Sequence, residues 1–358
     1  MKTAKRMLVV IMAIMMVLVA TTACSPGDTP APSGGGESQA TDKPGGETTP
    51  SAPPAEKETV WRFVSAFVPA AAEHHGIWMF IEQVNEELAG RLKIDYLGGT
   101  EIVAYFDQFE QCVQGVFELA HVPVNMTANI VPTGDALFLT ELNPMEMRAS
   151  GAYDKMKENY EKQGNVTYLG VTSGEGYGYT IYTNFEVPSL DVFKGKTIRT
   201  APVFVPLLTE LGAGSVSIGA GEVYQAVERG VVDGYGWSTI GVMDYAWNEV
   251  TKYRIEPAFY PCNVGMYVNT DAFNALSADL QAEVLRIAEE VEEKCYGEMG
   301  AMNDDELKQQ LEGGMELIVL EGAMREEWLT TAREAGWDSL NKKDAAGAAE
   351  IRPLVTKP

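Results

Sequence analysis

The chain alternates short apolar runs with amphipathic segments of about ten residues. The first run, "TVWRFVSAFVP", predicts a strand that ends at Pro69. Ile77, Ile81 and Val84 then recur at helical spacing, and Gly90 ends the predicted helix. The alternation continues through "RLKIDYLGG", "AYFDQFEQCVQG" and "VFELAHVPVN", which predict a strand, a helix and a strand.

Strands that alternate with helices of this length predict an α/β fold with largely parallel sheets. In such sheets ligands bind beyond the carboxyl ends of the strands, often where two halves meet. From "DAFNALSADLQ" onward the pattern is mostly helical, so we expect a helix-rich C-terminal part. The chain beyond its N-terminal segment has roughly 300 residues, which exceeds what one small core serves and favours two lobes.

The N-terminus has the organisation of a secretory signal. A basic start precedes the apolar run Met7–Ala20, and small residues then lead to Cys24. This order resembles a lipobox, so we expect a signal peptide over residues 1–23 and a lipidated Cys24; the alternative is an ordinary cleaved signal. Residues 24–57 are rich in Gly, Pro, Ser and Thr and predict a disordered linker. The mature protein is therefore expected in the periplasm or on the outer face of the cell membrane, held there by a lipid anchor.

The charged residues and the cysteines narrow the possible partners. The formal net charge is -24, with 27 Lys+Arg against 51 Asp+Glu, which argues against nucleic acid as a partner. Cys112, Cys262 and Cys295 fit no zinc spacing. Either one disulfide and one free thiol or three free thiols are compatible with their number.

One cation, Arg199, lies on a predicted buried strand of this acidic chain, in "FKGKTIRT". Four motifs run from that strand onward: Gly195-Lys196-Thr197-Ile198-Arg199, Leu211-Gly212-Ala213, Glu222-Val223-Tyr224-Gln225-Ala226 and Gly230-Val231-Val232-Asp233-Gly234. In this order and spacing they resemble the solute-binding proteins of TRAP transporters, the DctP-like family. Weaker similarity extends from Trp61 to about Lys294.

The resemblance implies a two-lobed periplasmic-binding-protein-like fold with a ligand cleft between the lobes. We expect residues 58–180 and about 264–310 to form lobe I, and residues 181–263 and about 311–358 to form lobe II. The implied function is that of an extracytoplasmic receptor, not an enzyme, which captures an organic acid and delivers it to TRAP membrane permease subunits. No cofactor is expected.

In the family the strand arginine binds the ligand carboxylate, and the match gives that role to Arg199. A guanidinium pairs bidentately with a carboxylate, which agrees with this role; the alternative is a structural ion pair with an acidic side chain. Relatives that bind dicarboxylates often carry a second arginine where this chain has Tyr179. A 2-oxoacid-binding subgroup has a metal-holding Glu before its Trp, and here Gly236 precedes Trp237, which argues against a bound cation. Trp237 is expected to form an apolar wall for the ligand.

Further candidates lie in loops at predicted strand ends. The loop after the first strand contains Phe67, Glu73, His74 and His75, and the third strand is followed by His121 and Asn125. Tyr177 lies in "GEGYGY", and Asn263, in "YPCNVG", lies near an expected crossing between the lobes. Of these we select Phe67, His74, Asn125, Tyr177 and Asn263, beside Arg199, Trp237 and Tyr179, as the ligand-binding set. One arginine among aromatic residues suggests a monocarboxylate with an apolar or aromatic body.

Two other classes of function remain open from the sequence. The three histidines near strand ends could serve a metal-binding receptor lipoprotein. A membrane-anchored hydrolase is the other alternative, although "GYGWSTIG" departs from the nucleophile-elbow pattern and no Ser–His–acid order is evident.

Overall fold

The computed structural model of the protein describes residues 58–357. The predicted signal peptide, the lipidation site Cys24 and the whole predicted linker, residues 24–57, lie outside the described residues. No helix of the described range is long and apolar enough to cross a membrane. Cys112, Cys262 and Cys295 are buried free thiols, so the structure has the second of the two arrangements left open by the sequence.

The described chain alternates strands and helices. The strands are β1 (Thr59–Ser65), β2 (Leu92–Gly98), β3 (Leu119–Pro123), β4 (Val166–Thr172), β5 (Gly178–Thr183), β6 (Thr197–Thr200), β7 (Gly214–Ser217), β8 (Gly234–Ser238), β9 (Tyr253–Glu256), β10 (Tyr260–Pro261), β11 (Val264–Asn269) and β12 (Glu316–Val319). The α-helices are α1 (His75–Glu87), α2 (Gln108–Val113), α3 (Ala136–Leu139), α4 (Pro144–Ser150), α5 (Ala152–Gly164), α6 (Val205–Glu210), α7 (Ala220–Glu228), α8 (Thr270–Asn274), α9 (Ala278–Glu312), α10 (Gly322–Lys343) and α11 (Ala345–Val355). The α/β class and the helix-rich C-terminal part are confirmed.

The strands form two sheets, and the chain passes from one to the other. The first sheet has the order β2-β1-β3-β11-β4, and the second has the order β12-β9-β5-β8-β6-β7 with β10 paired to β5. The chain leaves the first sheet after β4 and returns to it through β11. Because of these passages β5 and β11 run antiparallel to the strands beside them. Both sheets are therefore mixed, but in each the other strands all run in one direction, so the expectation of largely parallel sheets is confirmed apart from β5 and β11.

Each sheet takes its strands from two separate parts of the chain, as the predicted lobes do. The first sheet takes strands from residues 59–172 and 264–269, and the second from residues 178–261 and 316–319. The C-terminal α11 packs on α3, α4 and α5, which precede the second sheet in sequence. The residue boundaries of the lobes stay a prediction.

A buried ion pair ties the long helix α9 to the first sheet. Glu292, on α9, accepts a hydrogen bond from Nε of Arg148 at 2.5 Å and another from the backbone N–H of Val171 at 2.7 Å. Arg148 also lies over the ring of Tyr153, with its guanidinium carbon 3.9 Å from the ring centroid. Burial raises the pKa of Glu292, and Arg148 opposes that shift. The carboxylate thus depends on one cation and one backbone donor.

We predict that Arg148→Met destabilises the protein by about 3–5 kcal/mol, because it leaves the buried Glu292 carboxylate without a cation. Urea denaturation measures the loss. The double variant Arg148→Met/Glu292→Gln keeps an acceptor for Val171 and should recover much of it. A single variant as stable as the parent would contradict this view of the pair.

Candidate ligand-binding site

Arg199 lies on β6, which is hydrogen-bonded between β7 and β8 in the second sheet. Its side chain is fully buried, with 0% relative exposure. Nε donates to the carbonyl of Ile218 at 2.8 Å, and Nη1 donates to the carbonyl of Gly236 at 3.1 Å. The remaining nitrogen, Nη2, is buried and has no hydrogen-bond partner.

Arg199 has no acidic partner among the residues from 58 to 357 with which it forms an ion pair. The structural salt bridge considered as an alternative is therefore not formed in this range. Burial lowers the pKa of Arg199 to about 10, so the guanidinium stays charged at neutral pH. A buried guanidinium whose Nη2 nitrogen has no partner can bind an anionic ligand without losing a hydrogen bond to the protein.

Trp237 lies on β8, on the same face as Tyr235, which is the β8 partner of Arg199. The guanidinium carbon of Arg199 is 5.1 Å from the centre of the Trp237 ring, within the range of a cation–π interaction. The indole packs edge-on against Trp247, with 4.9 Å between ring centroids, and its Nε1–H has no acceptor. The ring therefore has a polar group left to donate.

Trp237 is one wall of a small cavity formed by residues from both sheet regions. The free space for a water-sized sphere is about 20 Å³, enough for little more than one water molecule. Five of the predicted site residues take part: Phe67, Asn125, Tyr177, Tyr179 and Trp237. Arg199 is not among the residues that line the cavity, although its guanidinium carbon is 5.1 Å from the ring centre of the lining residue Trp237. The hydroxyl of Tyr179 donates to Oδ1 of Asn125 across the cavity at 3.5 Å.

Several lining residues were not selected from the sequence. Tyr105, Phe204 and Cys262 line the cavity without having been singled out, and Glu73 does so after being considered only as a loop residue. They come from a loop before α2, a short helix after β6, the crossing before β11 and a short helix after β1. Only the clustering of aromatic and acidic residues after strand ends could have indicated them.

His74 and Asn263, both in the predicted set, are not among the residues that line this cavity. His74 ends a 3₁₀ helix rather than lying in a loop, and its Nε2 contacts the hydroxyl of Ser65. The side-chain amide of Asn263 donates to the carbonyl of Leu137 at 2.6 Å, which ties the crossing to α3. Both side chains are buried, and each takes part in a contact within the protein.

The remaining histidines also have partners of their own. Nε2 of His75 lies 2.6 Å from Oε2 of Glu298, and Nε2 of His121 lies 2.9 Å from the hydroxyl of Thr172. His121 lies within β3 and does not follow it, so that expectation is wrong. Between residues 58 and 357, no three His, Cys, Asp or Glu side chains are grouped so that they could hold a metal ion.

Gly236 is covered directly by the ring of Phe204. A Cβ added at this position would lie 2.5 Å from Cδ1 of Phe204. Phe204 is itself held edge-on by Tyr179 and Phe259, with centroid distances of 5.4 and 5.9 Å. The ring therefore occupies the space that a side chain at residue 236 would need, and it extends the aromatic wall of the cavity.

Glu73 is the acidic residue of this cavity. It is 1% exposed, and neither carboxylate oxygen makes a well-formed hydrogen bond. Burial raises the pKa of Glu73 to about 8, and the negative charges of Asp244 and Glu306 raise it further, whereas its own backbone N–H and the indole N–H of Trp237 oppose the rise. The group can therefore change its protonation state near neutral pH.

Comparison with known proteins decides the family. Residues 64–343 match the family described as "Bacterial extracellular solute-binding protein, family 7". The chain belongs to this family. Its members are binding proteins that work outside the cytoplasm, and the prediction of a TRAP-type solute-binding protein is confirmed.

Individual relatives are similar over most of their length. A monocarboxylate 2-oxoacid-binding periplasmic protein of Nostoc sp. is 21% identical over 81% of this chain and 80% of its own. A TRAP periplasmic solute-binding protein of Desulfovibrio salexigens, solved with orotic acid, superposes with a TM-score of 0.74 at 16% identity over 83% of this chain and 97% of its own. A Bordetella pertussis extracytoplasmic solute receptor binding pyroglutamic acid gives 0.73 at 19% identity over 83% and 99%. The two-lobed fold is thereby confirmed.

We predict that Gly236→Ala destabilises the protein by about 1–3 kcal/mol, because the new methyl group forces the Phe204 ring out of its packed position. Urea denaturation measures the loss. The double variant Gly236→Ala/Phe204→Leu removes the crowded ring edge and should recover part of it. A fully stable single variant would show that the ring moves freely.

A second prediction concerns pH. The folded pKa of Glu73, about 8, exceeds its ordinary value of 4.5, so the folded ligand-free protein keeps a proton that the unfolded chain releases. Its stabilising effect is complete below about pH 4.5 and is lost as pH rises through about 8. The melting temperature of the parent should therefore fall more between pH 5 and 8 than that of Glu73→Gln. Asp244 and Glu306, which face Glu73, are present in both proteins, and parallel pH profiles would contradict the raised pKa.

Proposed function

We propose that this protein is an extracytoplasmic receptor that captures an organic acid and delivers it to the membrane permease subunits of a TRAP-type transporter. The ligand is a monocarboxylate with an apolar or aromatic body. A lipid on Cys24 and the linker that follows would keep the receptor at the membrane surface. No catalytic step is part of this function.

The observation that carries the proposal is the free Nη2 group of the buried Arg199. A carboxylate that reaches this nitrogen gains a charge-assisted hydrogen bond in a site from which water is largely excluded. The protein has already removed the guanidinium from water on folding, so the ligand meets a cation that is held in place by Ile218 and Gly236. This preorganisation favours binding of an anion.

The other walls agree with a ligand that has an apolar body. Phe67, Phe204 and Trp237 present rings to the cavity. Orotic acid and pyroglutamic acid, which are bound by the two structural neighbours described above, each carry one carboxyl group on a compact ring. The position of Tyr179 where relatives place a second arginine supports a ligand with one carboxylate.

The cavity must open for such a ligand to enter, because its free space is about 20 Å³. Its walls come from segments attached to both sheets, so a bound acid would contact both and favour the closed arrangement. The closed form would then be the one recognised by the permease.

The two alternatives from the sequence have no supporting observation in residues 58–357. The metal receptor would need grouped ligands, and the histidines instead contact Ser65, Glu298 and Thr172. A hydrolase would need an acid to orient the histidine beside its serine, and Nδ1 of His74 has no partner.

Native mass spectrometry of the purified protein, followed by denaturation and identification of the released molecule, tests the proposal. We expect a carboxylic acid with the parent and its loss from Arg199→Met, with an affinity lower by about 100-fold because an ion pair in a desolvated site is removed. Arg199→Lys keeps the charge without the planar fork and should bind with intermediate affinity.

Thermal unfolding without ligand shows whether the variants are folded. Arg199→Met removes a partly unpaired buried charge and should be at least as stable as the parent. If Arg199→Met is folded and binds the same acid with parental affinity, the proposed role of Arg199 is wrong.

A further inference from the structure

The carboxylate of Glu73 is a second group in the cavity that has no protein partner. Glu73 belongs to the 3₁₀ helix Ala72–His74, which follows β1 of the first sheet, whereas Arg199 lies in the second sheet. Both carboxylate oxygens are buried and receive no hydrogen bond. Burying a carboxylate without donors is costly, so a site with this feature calls for a group that supplies them.

The unpartnered polar atoms of the cavity define what a complementary ligand must carry. Arg199 Nη2, Asn125 Nδ2 and Trp237 Nε1 are donors without acceptors, and the two oxygens of Glu73 are acceptors without donors. The hydroxyl of Tyr177, which can donate and accept, also has no partner. The donors match the two oxygens of a ligand carboxylate. The acceptors match a ligand group that carries hydrogen on nitrogen or oxygen, and a monocarboxylate without such a group would leave Glu73 unsatisfied.

Arg199 and Glu73 do not satisfy each other, because they form no ion pair across the cavity. The local charge around Glu73 is negative: Asp244 and Glu306 both disfavour its ionised form. A cation placed beside Glu73 would be attracted by Asp244 and Glu306 and would favour the ionised form of Glu73, whereas the carboxylate end of the ligand is drawn to Arg199. The two groups thus favour opposite charges on the two ends of a ligand.

Contacts between the two sheet regions converge on the same helix. The backbone N–H of Ala72 donates to Oδ2 of Asp244 at 2.9 Å, which joins the Glu73 helix to the segment after β8. A Cβ at Gly241, in that segment, would lie 2.5 Å from Oε1 of Glu73. A ligand group that binds Glu73 therefore meets the second sheet region as well and would bear on closure.

We propose that Glu73 is the second anchor of the ligand and accepts hydrogen bonds from a protonated nitrogen, so that the captured acid is a compact amino acid or a related ring with an N–H group beside its single carboxylate. This inference rests on the proposed function and names its substrate class. Nitrogen fits better than the several hydroxyls of a sugar acid, because the walls are largely aromatic and offer few polar partners beyond Glu73, Asn125 and Tyr177.

Three probes that share a five-membered ring and one carboxylate separate the contributions: proline with an ammonium group, pyroglutamic acid with a neutral N–H, and cyclopentanecarboxylic acid with neither. Isothermal titration calorimetry of the purified protein measures each affinity. We expect at least one nitrogen-bearing probe to bind about tenfold more tightly than cyclopentanecarboxylic acid, since its N–H group supplies Glu73 with a charge-assisted hydrogen bond that the hydrocarbon ring lacks.

Glu73→Gln should reduce that preference to about threefold or less. Glu306→Gln is the matched control. It removes a neighbouring buried carboxylate that already accepts hydrogen bonds from the backbone of Met243 and from Gln310, and it should retain the preference. Loss of preference in both variants would assign the effect to the general negative potential and overturn a direct contact with Glu73.

The two proposals fail in different ways. Equal parental affinity for the three probes, no binding of any of them, or a co-purified acid without a hydrogen-bearing nitrogen would each overturn the role of Glu73. If binding in those cases still depended on Arg199, the proposed function would stand. Binding of nitrogen-bearing probes with full affinity by Arg199→Met would instead overturn the carboxylate site.

Discussion

The guanidinium of Arg199 has been taken out of water without a carboxylate to balance it, and the surrounding strands are arranged to make that tolerable. Because β6 lies inside the second sheet, its third residue cannot reach solvent. The carbonyls of Ile218 and Gly236 accept two of its N–H groups, and Trp237 covers the plane of the charge. The two carbonyl dipoles hold the guanidinium in one orientation and leave Nη2 without a hydrogen-bond partner. The cost of desolvating the charge is met on folding, so a bound acid gains most of the interaction.

The small volume of the cavity implies that the protein opens to admit a ligand and closes around it. Its free space is about 20 Å³, and its polar atoms come from segments that carry different sheets. Direct contacts across it are few and weak in geometry, as the 3.5 Å bond between Tyr179 and Asn125 shows. The unpartnered groups disfavour closure without a ligand, because each stays desolvated and unsatisfied. A ligand that satisfies them would shift the equilibrium toward the closed state by its contacts alone.

The sequence predicts the parts of this structure that depend on local pattern. The apolar period of Ile77, Ile81 and Val84 predicts α1, and the four motifs around Arg199 predict the family and its arginine. Strand direction is not a local property: β5 and β11 are antiparallel because the chain changes sheets beside them. Tyr105 and Phe204 reach the cavity from an irregular loop and a short helix, which have no periodicity to indicate their direction. Their convergence with Trp237 depends on packing between segments that are separate in the sequence.

The specificity of the site depends on where its acidic side chain lies: residue 236 is a glycine, and the carboxyl group is provided by Glu73. The family resemblance implies a metal-holding Glu in 2-oxoacid-binding relatives at the position of Gly236, and here the Phe204 ring fills that space. The wall beside Trp237 is therefore aromatic, and the acidic group of the cavity is Glu73. A carboxylate that faces a ligand directly selects for hydrogen-bond donors, whereas one that holds a metal selects for further oxygen ligands of that metal. The aromatic wall at residue 236 and the free carboxylate of Glu73 thus favour the same ligand, an acid whose positive end needs no metal to bind it.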